Sequence, residues 1–360
     1  MIMPTSSSSA ILPLPTFIAV MQPTVHAVPV VFDSPHSGIE YPDDFNHAVA
    51  PHLLRQAEDT HVELLYASAP ARGATLIAAR FPRTYIDPNR SLLDIDNALL
   101  DAAWPGPVNP SRKTEKGIGL VWRMLDSGGA IYDRKLSVRE VAARIRDYYS
   151  PYHNAVRTAL NAAVAHYGGV WHVNCHSMPA VGGQVAEDGP GAVRADFVLG
   201  DRDGTTCAPE FTQLVAATLR GFGYEVKIND PYKGVELVRA YSDPAAHRHS
   251  LQIEVNRKLY MDEPTREPNA NFAILQAHID QLIGVICAYA VANAPMHTHA
   301  ADCGHDHGHG PKHGHKHGPG HGHGEGHGHD DNQHHGHAYD SRPHEHDHDH
   351  PHGHGDEHKH

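Results

Sequence analysis

The amino-acid sequence predicts an α/β protein with a mostly parallel or mixed central sheet flanked by helices. Strand-like and helix-like segments alternate from residue 27 to residue 294, a pattern typical of a largely parallel sheet. The apolar runs are short, and several end directly in Ser, Pro or Gly turns, as strands of such sheets do. Roughly 260 residues of ordinary globular composition are enough for one core with a cleft.

The elements follow in order from hydrophobic spacing and turn residues. Strands are predicted at residues 27–32, 74–79, 170–174, 197–199 and 251–255. Helices are predicted at residues 53–69, 138–167 (as one long helix or two shorter ones), 210–219 and 271–290. Leu54, Ala57, His61, Leu64 and Leu65 share one face of the first helix. Ser137 is a suitable N-cap for the second.

Composition divides the chain into three parts. Residues 1–26 are predicted to be a disordered leader, because Pro13 and Pro15 interrupt their apolar run and no Lys or Arg precedes Arg55, unlike a secretory signal. Residues 27–294 are the predicted catalytic domain. Residues 295–360 are mostly His, Gly, Asp and Pro, so we expect a disordered tail that exchanges Zn²⁺, Ni²⁺ or Cu²⁺ ions at several sites. The start codon stays open, with Met21 as an alternative.

Charge and cysteine content narrow the function and the compartment. The net charge of −13 and the absence of a basic stripe argue against a nucleic-acid partner. The four cysteines are widely spaced, which favours a reducing cytoplasm over a disulfide framework. No apolar stretch is predicted to span a membrane.

Two histidines follow predicted strands and are candidate metal ligands. His36 lies in DSPHSG and His176 in NCHSMP, and ligands of open α/β sheets bind beyond the carboxyl ends of strands. A catalytic zinc ion needs three protein ligands and an open position. From the residues alone, the third ligand is either Asp59 or His61, because helical phase cannot decide between them.

Glu254 is an acid in an otherwise apolar strand, LQIEVNR. A buried carboxylate is either paired, here with Arg248 or Arg257, or functional. Beside a metal ion it would suit a general base. Asn89 and Arg90 in TYIDPNR are candidates for binding a substrate carboxylate. Further cations in polar loops, Arg123, Lys233, Arg239 and Arg248, indicate a small anionic substrate.

Seven segments together resemble the N-formylglutamate amidohydrolase family. They are DSPHSG, DTHVELLY, TYIDPNR, NCHSMP, DFVLGDRDGTTC, NDPYKGVELVR and HSLQIEVNRKLYMDE. The resemblance implies zinc-dependent hydrolysis of N-formyl-L-glutamate to formate and L-glutamate, in a fold similar to zinc carboxypeptidases (a phosphorylase/hydrolase-like architecture).

The resemblance also implies roles for single residues. His36, Asp59 and His176 would hold one zinc ion, with Asp59 now favoured over His61, which stays an alternative or supporting residue. Asn89 and Arg90 would bind the substrate carboxylate, and Glu254 would move the proton. Arg123 or Arg248 would stabilise the oxyanion. Two alternative functions remain: deacylation of another N-acyl amino acid, and metal buffering or delivery by the tail.

Overall fold

A seven-stranded mixed sheet forms the centre of the computed structural model, which describes residues 17–295 except 126, 185 and 187. The strands of this described part are β1 (Ile18–Met21), β2 (Val30–Ser34), β3 (Thr75–Ala79), β4 (Val170–Met178), β5 (Phe197–Gly200), β6 (Val226–Ile228) and β7 (Arg248–Asn256). Their order is β1-β3-β2-β4-β7-β5-β6. The pairs β3–β2, β2–β4, β4–β7 and β5–β6 are parallel. The pairs β1–β3 and β5–β7 are antiparallel. The predicted fold class is therefore confirmed.

Helices cover both faces of this sheet. They are α1 (Pro51–Leu54), α2 (Val62–Leu65), α3 (Arg112–Glu115), α4 (Val138–Arg144), α5 (Ser150–Tyr167), α6 (Pro209–Gly221), α7 (Glu236–Tyr241) and α8 (Phe272–Asn293). One core cluster joins the sheet to α6 and α8, and a second joins it to α5. The central strands are buried along their whole length, as expected where helices cover both faces.

The predicted helix at residues 53–69 is wrong. The chain there forms α1, which continues as a 3-10 turn at Arg55–Ala57, and the single turn α2, with irregular backbone at residues 58–61 between them. Glu58 is extended, and His61 has a φ of 69°, a left-handed conformation that a continuous right-handed helix does not contain. The Asp59 N–H donates to the carbonyl of His36 instead of to a helical partner. Apolar spacing was satisfied, but these backbone contacts prevent a continuous helix.

Other boundaries also differ from the sequence prediction. β4 continues to Met178, so His176 lies within the strand and not after it. β1 lies inside the predicted disordered leader of residues 1–26, so the prediction of disorder is wrong for residues 18–21. Residues 1–16 lie outside the described residues, and so does the predicted tail from residue 296. The 138–167 segment is continuous, with a π-helical turn at Ile145–Tyr149, and Ser137 caps it in a capping box with Glu140.

α8 is long and apolar enough to cross a membrane by length and composition, contrary to the prediction that no such stretch exists. Core helices of globular proteins pass the same test. Here Leu275, Ile279 and Ile283 pack into the core cluster beside β2 and β4, whereas Ile274 is 55% exposed. The helix thus has one buried face, as a helix against a sheet has.

The buried face of α8 gives a stability prediction. Ile283→Ala should lower the free energy of unfolding by about 2–5 kcal/mol, because it leaves a cavity in the core. The matched control Ile274→Ala, on the exposed face, should change it by less than about 0.5 kcal/mol. Urea denaturation measures both. Equal effects of the two substitutions would contradict this packing of α8.

Candidate metal centre and active site

His36, Asp59 and His176 meet in one buried cluster. Their ligand atoms all lie within 4.8 Å of one another. Asp59 Oδ2 is 3.0 Å from His176 Nδ1 and 3.4 Å from His36 Nδ1. The structure therefore brings together the three residues that the sequence and the family resemblance favoured. His61 is turned away from them, and its Nε2 is 2.8 Å from the carbonyl of Arg266.

Local backbone contacts fix the positions of the three side chains. His36 follows β2 in a tight turn, where a Cβ at Gly38 would lie 2.3 Å from the Phe81 carbonyl, so only glycine fits. The Asp59 N–H donates to the His36 carbonyl over 2.9 Å, which ties the irregular segment to this turn. His176 stands in β4, next to β2 in the sheet.

A second layer of groups orients both imidazoles. His36 Nε2 lies 2.7 Å from Asp87 Oδ1, and His176 Nε2 lies 2.7 Å from Asn174 Oδ1. Among the described residues, His36 Nδ1 has no hydrogen-bond partner although it is buried. Two Nδ1 atoms and one carboxylate oxygen therefore face each other, and each imidazole is held through its Nε2 atom. This arrangement fits the ligand set of a divalent ion such as zinc.

Arginines complete the surroundings of the two carboxylates. Arg257 donates to Asp59 Oδ1 over 2.9 Å, and Arg83 donates to Asp87 Oδ2 over 3.0 Å. Burial alone would raise the pKa of Asp87, but Arg83, His36 and Arg90 outweigh it and hold that pKa well below its usual value. Asp87 therefore stays an ionised acceptor for His36.

Glu254 lies beside His176 because the two residues are cross-strand partners in the parallel pair β4–β7. Gln252 Nε2 donates to Glu254 Oε1 over 2.8 Å. Burial raises the pKa of Glu254, and Asp59 adds to this against the opposite effects of His176, Arg83 and Lys113. Neither of the two arginines predicted to pair with Glu254 does so. Arg257 pairs with Asp59, and Arg248 is at the far end of β7.

A cavity of about 690 Å³ opens over the cluster and Glu254. Among its described lining residues, eight are Arg or Lys and four are Asp or Glu, and an excess of positive charge attracts anions. The basic residues are Arg83, Arg90, Arg112, Lys113, Lys116, Arg194, Lys233 and Arg257. Asn89 and Arg90 both line it, as predicted for substrate-binding residues. Asn89 Nδ2 is 3.0 Å from His176 Nε2, and its Oδ1 accepts the Leu237 N–H.

Two predicted catalytic arginines are not at this site. Arg248 starts β7, six residues before Glu254 and thus roughly 20 Å away at the rise of a strand, where it donates to Asn161. Arg123 is paired with Asp96 at 2.8 Å and does not line the cavity. The sequence showed the residue type but not where in the fold each arginine lies.

Four residues around the site were not predicted from the sequence: Arg83, Asp87, Asn174 and Gln252. Arg257 was expected to pair with Glu254 but pairs with Asp59. A signal for three of the four was present. Asp87 lies inside the TYIDPNR segment, Asn174 is two residues before His176, and Gln252 is two residues before Glu254. Residues two apart on a strand share a face, so polar residues at these positions indicate one polar face directed to the site.

Comparison with known proteins identifies relatives along most of the chain. The sequence model of the N-formylglutamate amidohydrolase family matches residues 28–261. A crystal structure of N-formylglutamate amidohydrolase from Ralstonia eutropha JMP134 is 50% identical, with a TM-score of 0.73, covering 77% of this chain and 98% of that one. N-formylglutamate deformylases of Pseudomonas putida and Pseudomonas aeruginosa are 29% and 28% identical, each over 66% of this chain and 83% of their own length.

The geometry of the cluster predicts which histidine binds metal. His36→Ala should weaken zinc binding more than about 100-fold, since loss of a ligand costs more than the 10–100-fold typical of a supporting residue. The matched control His61→Ala should leave binding unchanged. The readout is the rise of the unfolding midpoint with chelator-buffered free zinc. If His61→Ala abolished the zinc-dependent rise and His36→Ala preserved it, His61 would be the ligand instead of His36.

Proposed function

The chain belongs to the N-formylglutamate amidohydrolase family, and on that premise we propose that it hydrolyses N-formyl-L-glutamate to formate and L-glutamate with a zinc ion at His36, Asp59 and His176. Enzymes of this family hydrolyse an amide bond. The observation that carries the proposal is the buried cluster of two imidazoles and a carboxylate with Glu254 beside it, under a basic cavity.

The ion and the protein supply different parts of the chemistry. A zinc ion held by these ligands lowers the pKa of water and polarises a carbonyl group. Glu254 takes the proton of the attacking water and passes it to the leaving amine, the task of a general base and acid. Gln252 donates to one oxygen of Glu254, which leaves the other oxygen for the proton transfer. Arg123 and Arg248 take no part because of where they lie.

The substrate is an anion of small size. N-formylglutamate carries two carboxylates, which matches a cavity lined by more basic than acidic residues. Arg90 is buried, and its guanidinium is held by the carbonyls of Ile118 and Asn89. A fork held in this way is pre-organised for a carboxylate. We place the substrate α-carboxylate at Arg90 and Asn89, which also rejects neutral amides.

Formate release tests the proposed reaction directly. The full chain is assayed with N-formyl-, N-acetyl- and N-succinyl-L-glutamate, before and after metal removal and again after zinc is restored. We expect fast hydrolysis of the formyl substrate that disappears with chelation and returns with zinc. A preference for another acyl group would make the protein a different deacylase, and rates that ignore chelation would overturn the metal mechanism.

The role of the His-rich tail and the cellular compartment stay predictions. The metal-buffering alternative rests on the His-rich tail, which lies outside the described residues, and so do the exchangeable ions expected there. We expect the enzyme to act in the cytoplasm on a small molecule, with no nucleic-acid or membrane partner.

Glu254→Gln tests the proton-transfer role. The variant keeps the size and the hydrogen-bonding shape of the side chain but cannot accept a proton, so kcat should fall by about 10²–10⁴-fold. Zinc-dependent stabilisation should persist, because Glu254 is not a ligand. Glu210→Gln on the exposed surface of α6 is the control. Near-normal turnover in Glu254→Gln would remove this residue from the mechanism.

Arg90→Lys tests the substrate-binding role. Lysine retains the charge but loses the planar fork, so KM for N-formylglutamate should rise by about 10–100-fold, the equivalent of one charge-assisted hydrogen bond. Arg123→Lys is the matched control, and its KM should equal that of the wild type. Steady-state kinetics at saturating zinc measure both. The opposite ranking would place the substrate carboxylate at Arg123.

A further inference from the structure

A row of buried polar side chains leads away from the metal cluster along one face of the sheet. Residues 172, 174 and 176 of β4 share that face because strand side chains alternate. His176 Nε2 is 2.7 Å from Asn174 Oδ1, and Asn174 Nδ2 donates to Asp33 Oδ1 over 2.8 Å. Asp33 of β2 and Asn174 are neighbours in the register of the two strands. The row therefore connects His176 to a carboxylate two steps away.

Asp33 is held in place by donors on both of its oxygens. His172 Nε2 bonds Oδ1 over 2.8 Å, and the Tyr152 hydroxyl donates to Oδ2 over 2.7 Å. Burial alone would raise the pKa of Asp33, but the charge of His172 and the hydrogen bonds from His172, Asn174 and Tyr152 outweigh it and lower that pKa. Asp33 is thus an ionised acceptor whose orientation is fixed by hydrogen bonds to both oxygens.

The residues at the far end of the row resemble a catalytic triad but cannot act as one. Ser250 lies 2.7 Å from His172 Nδ1 through its hydroxyl, so Ser250, His172 and Asp33 form a Ser–His–Asp chain of hydrogen bonds. All three residues are fully buried, and none of them lines the cavity over Glu254. A nucleophile must reach its substrate, and this serine does not.

The orientation of Asn174 determines which nitrogen of His176 carries the proton. An ionised Asp33 only accepts hydrogen bonds, so Asn174 must direct its NH₂ group to Asp33 and its oxygen to His176. That oxygen favours a proton on His176 Nε2 and a free lone pair on Nδ1. The lone pair faces Asp59 and His36, where a metal ion needs it.

Asn89 acts in the opposite direction. Its Oδ1 accepts the Leu237 N–H, so its Nδ2 group is the one 3.0 Å from His176 Nε2. A donor at that position bonds the unprotonated nitrogen, which would place the proton on Nδ1 facing Asp59. The two asparagines therefore favour different tautomers of one metal ligand, and whatever fixes Asn174 decides between them.

We propose that Asp33 is a positioning residue of the metal centre: by fixing the amide of Asn174, it keeps the proton of His176 on Nε2 and leaves Nδ1 available to the ion. This inference rests on the proposed metal site of His36, Asp59 and His176. It assigns the buried row a function in metal binding, through two hydrogen bonds, with no contact to substrate.

Two nearly isosteric variants separate this role from plain stability. In Asp33→Asn, residue 33 can offer either an oxygen or an NH₂ group to Asn174, so the amide is free to turn. Tyr152→Phe removes a hydrogen bond from the same carboxylate, on the other oxygen, and leaves the link to Asn174 intact. Asp33→Asn also removes the negative charge beside His172, whereas Tyr152→Phe removes one hydrogen bond. Both variants should lower the unfolding midpoint of the metal-free protein, so this midpoint alone does not test the proposed role.

The measurement is the unfolding midpoint of the full chain over a range of chelator-buffered free zinc concentrations. Buffering fixes the free ion whatever other groups of the chain bind it, and the shift reports only sites that prefer the folded state. We expect Asp33→Asn to need about 10–100-fold more free zinc than the wild type for the same shift, and Tyr152→Phe no more than about threefold. Excess zinc should restore kcat in Asp33→Asn.

The outcomes distinguish this inference from the proposed function. Equal zinc responses of the two variants would overturn the role of Asp33 while the wild-type response still supports the metal site. A wild-type protein without any zinc response would overturn both. If Asp33→Asn does not fold, Ser250→Ala tests the same row from its far end, because it frees the ring of His172. Zinc binding in Ser250→Ala no weaker than in Tyr152→Phe would then contradict the proposal.

Discussion

The buried carboxylate of Asp59 is the constraint on which the centre of this protein depends. A charge in the interior is costly unless every oxygen has a partner. Asp59 gives one oxygen to Arg257 and turns the other to His36 and His176. Burial alone would raise its pKa, yet the neighbouring imidazoles of His176 and His36 and the charge of Arg83 hold that pKa well below its usual value. The acid therefore stays ionised between two imidazoles.

The sheet supplies the geometry that this constraint requires. β2, β4 and β7 are parallel neighbours, so the His36 turn, His176 and Glu254 all come to the same edge. Glu254 is next to His176 by register, and Asn174 and Gln252 are next to each other one step back along the same two strands. Strand alternation thus gives one polar face, which carries His176, Glu254 and the side chains of Asn174 and Gln252 that contact them.

Sequence reasoning predicted the parts of this site that have a local signature. Turn residues after apolar runs located His36, and family resemblance selected Asp59. It failed where a contact between distant segments decides the structure. The Asp59–His36 backbone hydrogen bond breaks a segment whose apolar spacing is helical, and the position of Arg248 at the start of β7 depends on a strand boundary. Asp87 and Arg83 were missed because their roles exist only through His36 and Asp59.

The proposed mechanism requires one divalent ion bound by His36, Asp59 and His176. Anomalous X-ray diffraction at the zinc absorption edge, on crystals of the zinc-loaded full chain, tests it most directly. We expect an anomalous peak about 2.0–2.2 Å from His36 Nδ1, Asp59 Oδ2 and His176 Nδ1, the distances of zinc to such ligands. A zinc-loaded crystal in which these atoms lie far from every peak, or bond each other directly, would contradict it.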